Sequence, residues 1–111
     1  VEVGDVNASW INRHTLAGFP EGVARTVRFT QSGAQLSGTY RTNIAPGRTG
    51  TVTGRLTSPR DITFEASLLV GGRDVGFQFT GTLNPNLTAF IGVGNGFLLN
   101  NRTMGFGRAN E

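Results

Sequence analysis

Cysteine and lysine are both absent from this chain of 111 residues. Without Cys there is no disulfide, no thiol nucleophile and no Cys-based metal site. Without Lys, the 10 basic residues are all Arg, which gives a pI of 11.1 although the net charge is only +3. The arginines are scattered and are not clustered with aromatic residues, so nucleic acid is not a predicted partner.

Charges and long apolar runs are also scarce. Charged residues make up 15% and hydrophobic residues 37% of the chain, and Gly, Thr and Asn are abundant, which is typical of an all-β protein and not of a disordered one. No stretch approaches the roughly 20 apolar residues of a membrane helix, so no membrane partner is predicted. The chain begins at Val1 and not at Met. Leader removal and an arbitrary start of the sequence both give such a beginning, and we expect a secreted or periplasmic protein.

Catalytic and metal sites lack the residues that they need. His14 is the single histidine and falls in a predicted loop over residues 13–22, where a solvated role is expected. No two carboxylates are spaced for general acid–base catalysis, and none cluster for a metal. The carboxylates singled out are Asp5, Glu21, Asp61, Glu65 and Asp74. We therefore predict no catalytic residue, metal or cofactor, and favour a non-enzyme while leaving the enzyme question open.

A recurring five-residue unit organises what is present. Residues 36–40, LSGTY, return as VTGRL over 52–56 and as FTGTL over 79–83. Because strand side chains alternate between faces, the two apolar ends and the central Gly of each unit share one face. A Gly on the buried face lets a strand coil sharply or a neighbour approach closely, as a closed barrel requires. The unit therefore favours a small barrel over a flat sheet.

Alternating polar and apolar residues predict eight strands. They cover residues 7–12, 23–30, 34–42, 50–57, 62–70, 74–83, 87–97 and 102–108. Turn signals separate them, among them Gly71-Gly72 and Asn100-Asn101. No segment has the period of a helix. The pattern predicts one domain over residues 1–111, an all-β, eight-stranded antiparallel up-and-down β-barrel, with a two-sheet β-sandwich as the alternative.

The predicted inward faces contain the single Trp and the single Tyr. Trp10 shares its face with Ala8 and Asn12, and Tyr40 shares its face with Thr42. Core packing with polar residues at the rim is one interpretation, and a ligand pocket with apolar walls and a few polar groups is the other. The candidate pocket residues are Trp10, Asn12, Tyr40, Thr42, Phe64, Phe79 and Phe97.

Apolar residues on the predicted outer face of the later strands indicate self-association. If Ala89, Ile91 and Val93 point inward, then Phe90 and Leu98 point outward. Glycines at positions 92, 94 and 96 lie between them and would let another sheet approach closely. The predicted interface consists of Leu69, Phe90, Leu98 and Leu99, and a homo-oligomer is expected.

Several short motifs resemble those of the avidin and streptavidin family. Trp10-Ile11-Asn12 followed by the TYRT-containing segment 36–42 resembles the family's early W-x-N and later T-G-T-Y. Residues 52–55, VTGR, resemble its fourth strand, and the segments at Phe79 and Phe97 stand where the family has W-S-G and W-L-L. The resemblance implies a non-enzymatic barrel that binds a small, partly apolar ligand at its open end.

The resemblance also implies roles for individual residues. Asn12, Tyr40 and Thr42 would match the polar groups that hold the ureido oxygen or ring of biotin, and Phe79 and Phe97 would replace tryptophan walls. Two features depart from the family: Leu16 stands at a polar loop position, and Gly107-Arg108-Ala109 replaces a late Asp. Each buried group left unpaired costs about 1–3 kcal/mol, so we expect weak or no binding of biotin.

Two other functions stay open at this stage. A barrel with a filled interior would instead bind a protein or glycan on its outer surface. A small-barrel cyclase would confine a reactive apolar substrate, and turnover of a polyene or epoxide would identify it. A cavity lined by Trp10, Tyr40, Phe64 and Phe79 would favour ligand binding or the cyclase, whereas a filled interior would favour the surface binder.

Overall fold

The fold is all-β in the computed structural model, which describes residues 4–109 apart from the side chains of residues 16 and 19. Eight of the ten strands form a closed antiparallel barrel, as predicted, and not a sandwich. The strands are β1 (Ser9–Leu16), β2 (Phe19–Ser32), β3 (Gln35–Thr42), β4 (Gly50–Leu56), β5 (Asp61–Ser67), β6 (Leu69–Val70), β7 (Arg73–Asp74), β8 (Phe77–Leu83), β9 (Ala89–Gly96) and β10 (Leu99–Arg108). Within residues 4–109 there is no helix that is long and apolar enough to cross a membrane.

The topology is up-and-down. Barrel strands that follow one another along the chain pair with each other, and β10 pairs with β1 to close the barrel. Strands β6 and β7 form a separate two-stranded ribbon between β5 and β8, with its turn at the predicted Gly71-Gly72. We call the end with the β1–β2, β3–β4 and β9–β10 connections and the ribbon the upper end. The other connections lie at the lower end.

Aromatic rings fill the middle of the barrel. The ring centroid of Phe64 lies 5.2 Å from those of Phe29 and Phe79 and 5.9 Å from that of Phe106. Trp10 is fully buried, as predicted, and its ring lies 4.9 Å from that of Phe90. Such spacings are those of rings in direct contact. The interior around Trp10, Phe64 and Phe79 is therefore packed with side chains at this level.

The glycines of the repeated unit stand at points of close strand approach, as predicted. A Cβ added at Gly54 would overlap the backbone of Thr63 and lie 2.5 Å from the Cβ of Phe64. A Cβ at Gly38 would overlap the carbonyl oxygen of Arg28, and one at Gly81 would lie 2.7 Å from the ring of Phe79. Real Cβ atoms do not come so close, so these positions need Gly for space.

The predicted loop over residues 13–22 is wrong. Strand β1 continues to Leu16, β2 begins at Phe19, and only a two-residue turn separates them. Gly18 and Gly22 suggested a loop. Gly18 lies in the turn with a φ of +86°, and Gly22 lies within β2 with a φ of +77°, next to an irregularity in the β1–β2 pairing. His14 pairs with Val23 inside this hairpin and is half-buried, so it is not a solvated loop residue.

The predicted faces of β9 are also wrong. Phe90 is only 2% exposed, whereas Ile91 and Val93 are 61% and 46% exposed. Both faces of this strand contain apolar residues, so alternation alone was ambiguous. Pairing of Phe90 with the buried Leu83 and Phe106 places it inside.

Of the four residues predicted to form the interface, two are buried. Phe90 and Leu99 lie in the core, whereas Leu69 and Leu98 are exposed as predicted. The last hairpin turns at Phe97 and Leu98 and not at Asn100-Asn101, since β10 begins at Leu99. Leu98 adopts a φ of +59° to make this turn, a conformation that the sequence pattern does not indicate for Leu.

Candidate functional site

A buried arginine lies inside the upper half of the barrel. Arg25 is 0% exposed and belongs to the inward series of β2 that includes Val27 and Phe29. Its cross-strand partners are Asn12 on β1 and Thr42 on β3, both buried. Alternation therefore places a polar row of Asn12, Arg25 and Thr42 within the barrel.

The guanidinium of Arg25 contacts neutral groups only. It donates to the carbonyl oxygen of Phe97 at 3.2 Å and to Nδ1 of His14 at 3.3 Å, and its carbon lies 5.9 Å from the ring centroid of Phe77. The neighbours that act on its charge are Tyr40 and Arg102, and no carboxylate within residues 4–109 is among them. Burial lowers the pKa of the Arg25 guanidinium, because a charge without a counterion is costly in a poorly solvated site.

The contact with Arg25 defines the protonation state of His14. A guanidinium has no acceptor, so Nδ1 of His14 must accept and the proton must reside on Nε2. Burial, and then the charges of Arg25 and Arg102, lower the pKa of His14 below its usual range, which keeps the ring neutral. Its Nε2–H is buried and has no hydrogen-bond partner among the described residues.

Three further buried atoms near Arg25 have no hydrogen-bond partner in the described part of the chain. They are Oδ1 of Asn12, Nε of Arg25 itself and the hydroxyl of Tyr40. The Tyr40 hydroxyl makes no hydrogen bond of good geometry, but the side chains of Thr42 and Arg25 lie close enough to act on its pKa as hydrogen-bonding neighbours. Burial also raises the pKa of the Tyr40 hydroxyl, which therefore stays protonated. Each such atom costs about 1–3 kcal/mol, and native interiors contain few of them. With Nε2 of His14, four such atoms lie on or beside a single arginine.

The amide nitrogen of Asn12 and the hydroxyl of Thr42 do have hydrogen-bond partners. The amide nitrogen of Asn12 donates to the carbonyl oxygen of Gly105 at 2.8 Å, and the hydroxyl of Thr42 donates to that of Ala24 at 2.9 Å. These bonds hold both side chains in place. The free acceptor of Asn12, Oδ1, is consequently held in one orientation. The hydroxyl proton of Thr42 is used in its bond to Ala24 and is not available to a ligand.

The carboxylate of Asp74 has a structural role. It accepts hydrogen bonds from the hydroxyl of Ser67 at 2.8 Å and from the backbone N–H groups of Leu68 at 3.1 Å and Gly76 at 2.8 Å. These bonds lower the pKa of Asp74. They join both ends of the β6–β7 ribbon to the barrel, so Asp74 does not act as the counterion of Arg25.

The structure separates the predicted pocket residues into two groups. Asn12, Tyr40 and Thr42 surround Arg25, and the half-buried Phe97 joins them through its carbonyl oxygen. Trp10, Phe64 and Phe79 lie instead in the packed core. The indole N–H of Trp10 donates to the carbonyl oxygen of Val6 at 3.2 Å, and Arg108 lies over its ring.

Arg25 was not among the site residues predicted from the sequence, and His14 was predicted to lie in a loop. The signal for Arg25 was its position two and four residues before Val27 and Phe29, which the alternation placed inward. Residues at this spacing point to the same face of a strand. An arginine in an inward series is unexpected enough to deserve a functional hypothesis. For His14 the signal was hidden by the glycines that suggested a loop.

The outer face of β8, β9 and β10 has an open apolar groove of about 510 Å³. Ile91, Gly105 and Gly107 contribute to it, and the buried rings of Phe90 and Phe106 form its floor between the glycines. No group of three acidic or histidine side chains within residues 4–109 is placed to hold a metal ion.

Comparison of this chain with protein-family models, with curated proteins and with solved structures finds no match. The resemblance to avidins therefore depends on the short motifs alone.

Proposed function

We propose that this protein is a non-enzymatic barrel that binds a small molecule at its upper end, around Arg25. The observation that supports this most directly is the set of four buried, unpartnered polar atoms on Asn12, His14, Arg25 and Tyr40. A bound molecule would supply the hydrogen bonds that they lack and would offset the cost of burying them.

The surroundings of Arg25 have the composition of a small-molecule site. The rings of Tyr40 and Phe77 meet edge to face, 5.4 Å apart, and form an apolar wall beneath the guanidinium. A few polar groups held against apolar walls are what fix the orientation of a ligand. The packed aromatic core below limits the ligand to the upper end, so it is smaller than a ligand that fills the whole barrel.

The same packing supports a second candidate function, a surface binder. A filled middle was the feature expected of a barrel that binds a protein or glycan on its outside. The upper-end site is favoured because a solely structural interior has no need of an arginine without a counterion.

Biotin would bind this site only weakly. In the avidin-like interpretation Asn12, Tyr40 and Thr42 receive the ureido group, but Arg25 lies between Asn12 and Thr42 and the proton of Thr42 is already donated. We expect micromolar affinity or weaker, and a secreted or periplasmic location remains part of this proposal.

An NMR titration tests the proposed function. The probes are biotin, 2-imidazolidinone, hexanoate and hexanamide, and the signals followed are the Arg25 Nε–H and the Trp10 indole N–H. We expect at least one probe to shift the Arg25 signal saturably while the Trp10 signal, near Val6, stays in place. Tyr40→Phe should weaken that probe because it removes one unpartnered donor. If no probe shifts the Arg25 signal saturably, the proposed function is wrong.

We also propose that two copies associate through the groove on β8, β9 and β10. Ile91 and Val93 are the large exposed apolar residues of this face, and glycines beside them allow a second sheet to approach. In sedimentation, we expect a dimer that Ile91→Arg converts into a monomer of 11.8 kDa. Thr53→Arg, on the exposed outer face of β4, is the matched control and should leave the dimer intact. A monomeric wild-type protein at micromolar concentration contradicts the interface.

A further inference from the structure

We propose that the ligand of the upper end carries a carboxylate and that Arg25 binds it. This inference rests on the proposed function and names the chemical class of the ligand. It follows from the balance of donors and acceptors in the site, from its charge, and from its apolar walls.

Donors outnumber acceptors among the unpartnered atoms. Nε of Arg25 and Nε2 of His14, in the tautomer that the Arg25 contact requires, can only donate, whereas the hydroxyl of Tyr40 can donate or accept. Of the unpartnered atoms in the described part of the chain, Oδ1 of Asn12 is the one that can only accept. Two obligate donors and a hydroxyl beside one obligate acceptor match an anion, which is rich in acceptors, better than an amide or an alcohol.

The charge of the site also favours an anion. Arg25 and Arg102 both act on His14, which is itself neutral. The carboxylate of Asp74 acts on Tyr40, but no described carboxylate is among the groups that act on Arg25. The guanidinium now donates to a neutral backbone carbonyl, that of Phe97. An anionic oxygen in its place would add the attraction of an opposite charge to a hydrogen bond whose donor is already charged.

A carboxylate suits the site better than a phosphate. The planar guanidinium matches a carboxylate through two parallel hydrogen bonds. Phe77 and Tyr40 provide apolar contact for the carbon chain that a carboxylate carries, whereas inorganic phosphate would lose its hydration against these rings without compensation. Arg25 is fully buried, so a ligand must displace its hydrogen bonds to Phe97 and His14 in order to reach it.

Calorimetry with three probes tests the inference: hexanoate, its neutral isostere hexanamide, and inorganic phosphate. We expect hexanoate to bind at least about tenfold more tightly than hexanamide, because only hexanoate brings a negative charge to the buried guanidinium. Arg25→Gln should remove this preference. Arg41→Gln, which removes the same charge from an exposed position on β3, should retain it.

Each other outcome overturns a defined statement. Equal binding of hexanoate and hexanamide overturns the inference but leaves the proposed function intact, and tighter binding of phosphate overturns the assignment to a carboxylate. Binding of none of the three, with no response to any probe in the NMR titration, overturns the proposed function as well. Should Arg25→Gln not fold, Arg25→Lys, which keeps the charge but not the planar fork, must still prefer hexanoate to hexanamide.

Discussion

Arg25→Met should stabilise the ligand-free barrel by about 1–3 kcal/mol, although it removes a residue from the centre of the site. Met has a similar length and keeps apolar contact with the ring of Phe77. The variant leaves the carbonyl oxygen of Phe97 and Nδ1 of His14 without their donor. It also removes the unpartnered Nε of Arg25 and a buried charge that has no counterion within residues 4–109, and we expect this gain to be the larger. Residues that are retained at a cost in stability are typical of binding sites.

Urea unfolding of wild type and Arg25→Met measures this gain as a higher midpoint at an unchanged slope. Arg41→Met is the matched control and should leave the midpoint in place, since Arg41 is exposed. A clear loss of stability in Arg25→Met would mean that the arginine holds the hairpins of the upper end together, and its role would then be structural. The stabilised variant should also fail to bind hexanoate.

Gly54→Ala should destabilise the barrel by about 3 kcal/mol or more, the upper part of the range for overpacking. The added methyl group would overlap backbone atoms of Thr63 and lie 2.5 Å from Cβ of Phe64. Backbone cannot move aside as a flexible side chain can, and Phe64 is packed among the rings of the core. The β4–β5 pairing must therefore separate to accommodate a single methyl group.

Gly107→Ala provides the comparison, because a Cβ at that position would meet no atom within 4 Å. Thermal unfolding of both variants should show a large fall in melting temperature for Gly54→Ala and almost none for Gly107→Ala. Equal melting temperatures would mean that the glycines of the repeated unit are not needed for close approach of strands, and the argument from the repeat to a barrel would lose its basis.

The alternation of residues was sufficient to predict the barrel and most of its inward side chains. Trp10 and Tyr40 are buried as expected, and the strand of Tyr40 has apolar residues on one face only. The repeated Gly was equally informative, since a small residue at a fixed place in three strands has a geometric cause. Both the inward residues and the repeated Gly can be recognised within a single strand, without knowledge of the strand that pairs with it.

Features that depend on the partner strand were not predictable in this way. The faces of β9 were assigned incorrectly because Phe90 and Ile91 are both apolar, and only pairing with β8 and β10 distinguishes them. The hairpin at His14 was taken for a loop because glycines that permit a left-handed turn also occur in irregular segments. Both errors arise where the sequence allows two conformations and long-range contacts select one.

The candidate site shows the same division. The sequence determined that Asn12, Tyr40 and Thr42 point inward. The two-residue spacing of Arg25 and Val27 also predicts that Arg25 points inward. Only the tertiary structure decided that no carboxylate within residues 4–109 pairs with Arg25, that His14 lies against it, and that the carbonyl oxygen of Phe97 accepts a hydrogen bond from it. Whether a buried charge lacks a counterion depends on everything that surrounds it. Every strand of the barrel must therefore be placed before the absence of a partner is known.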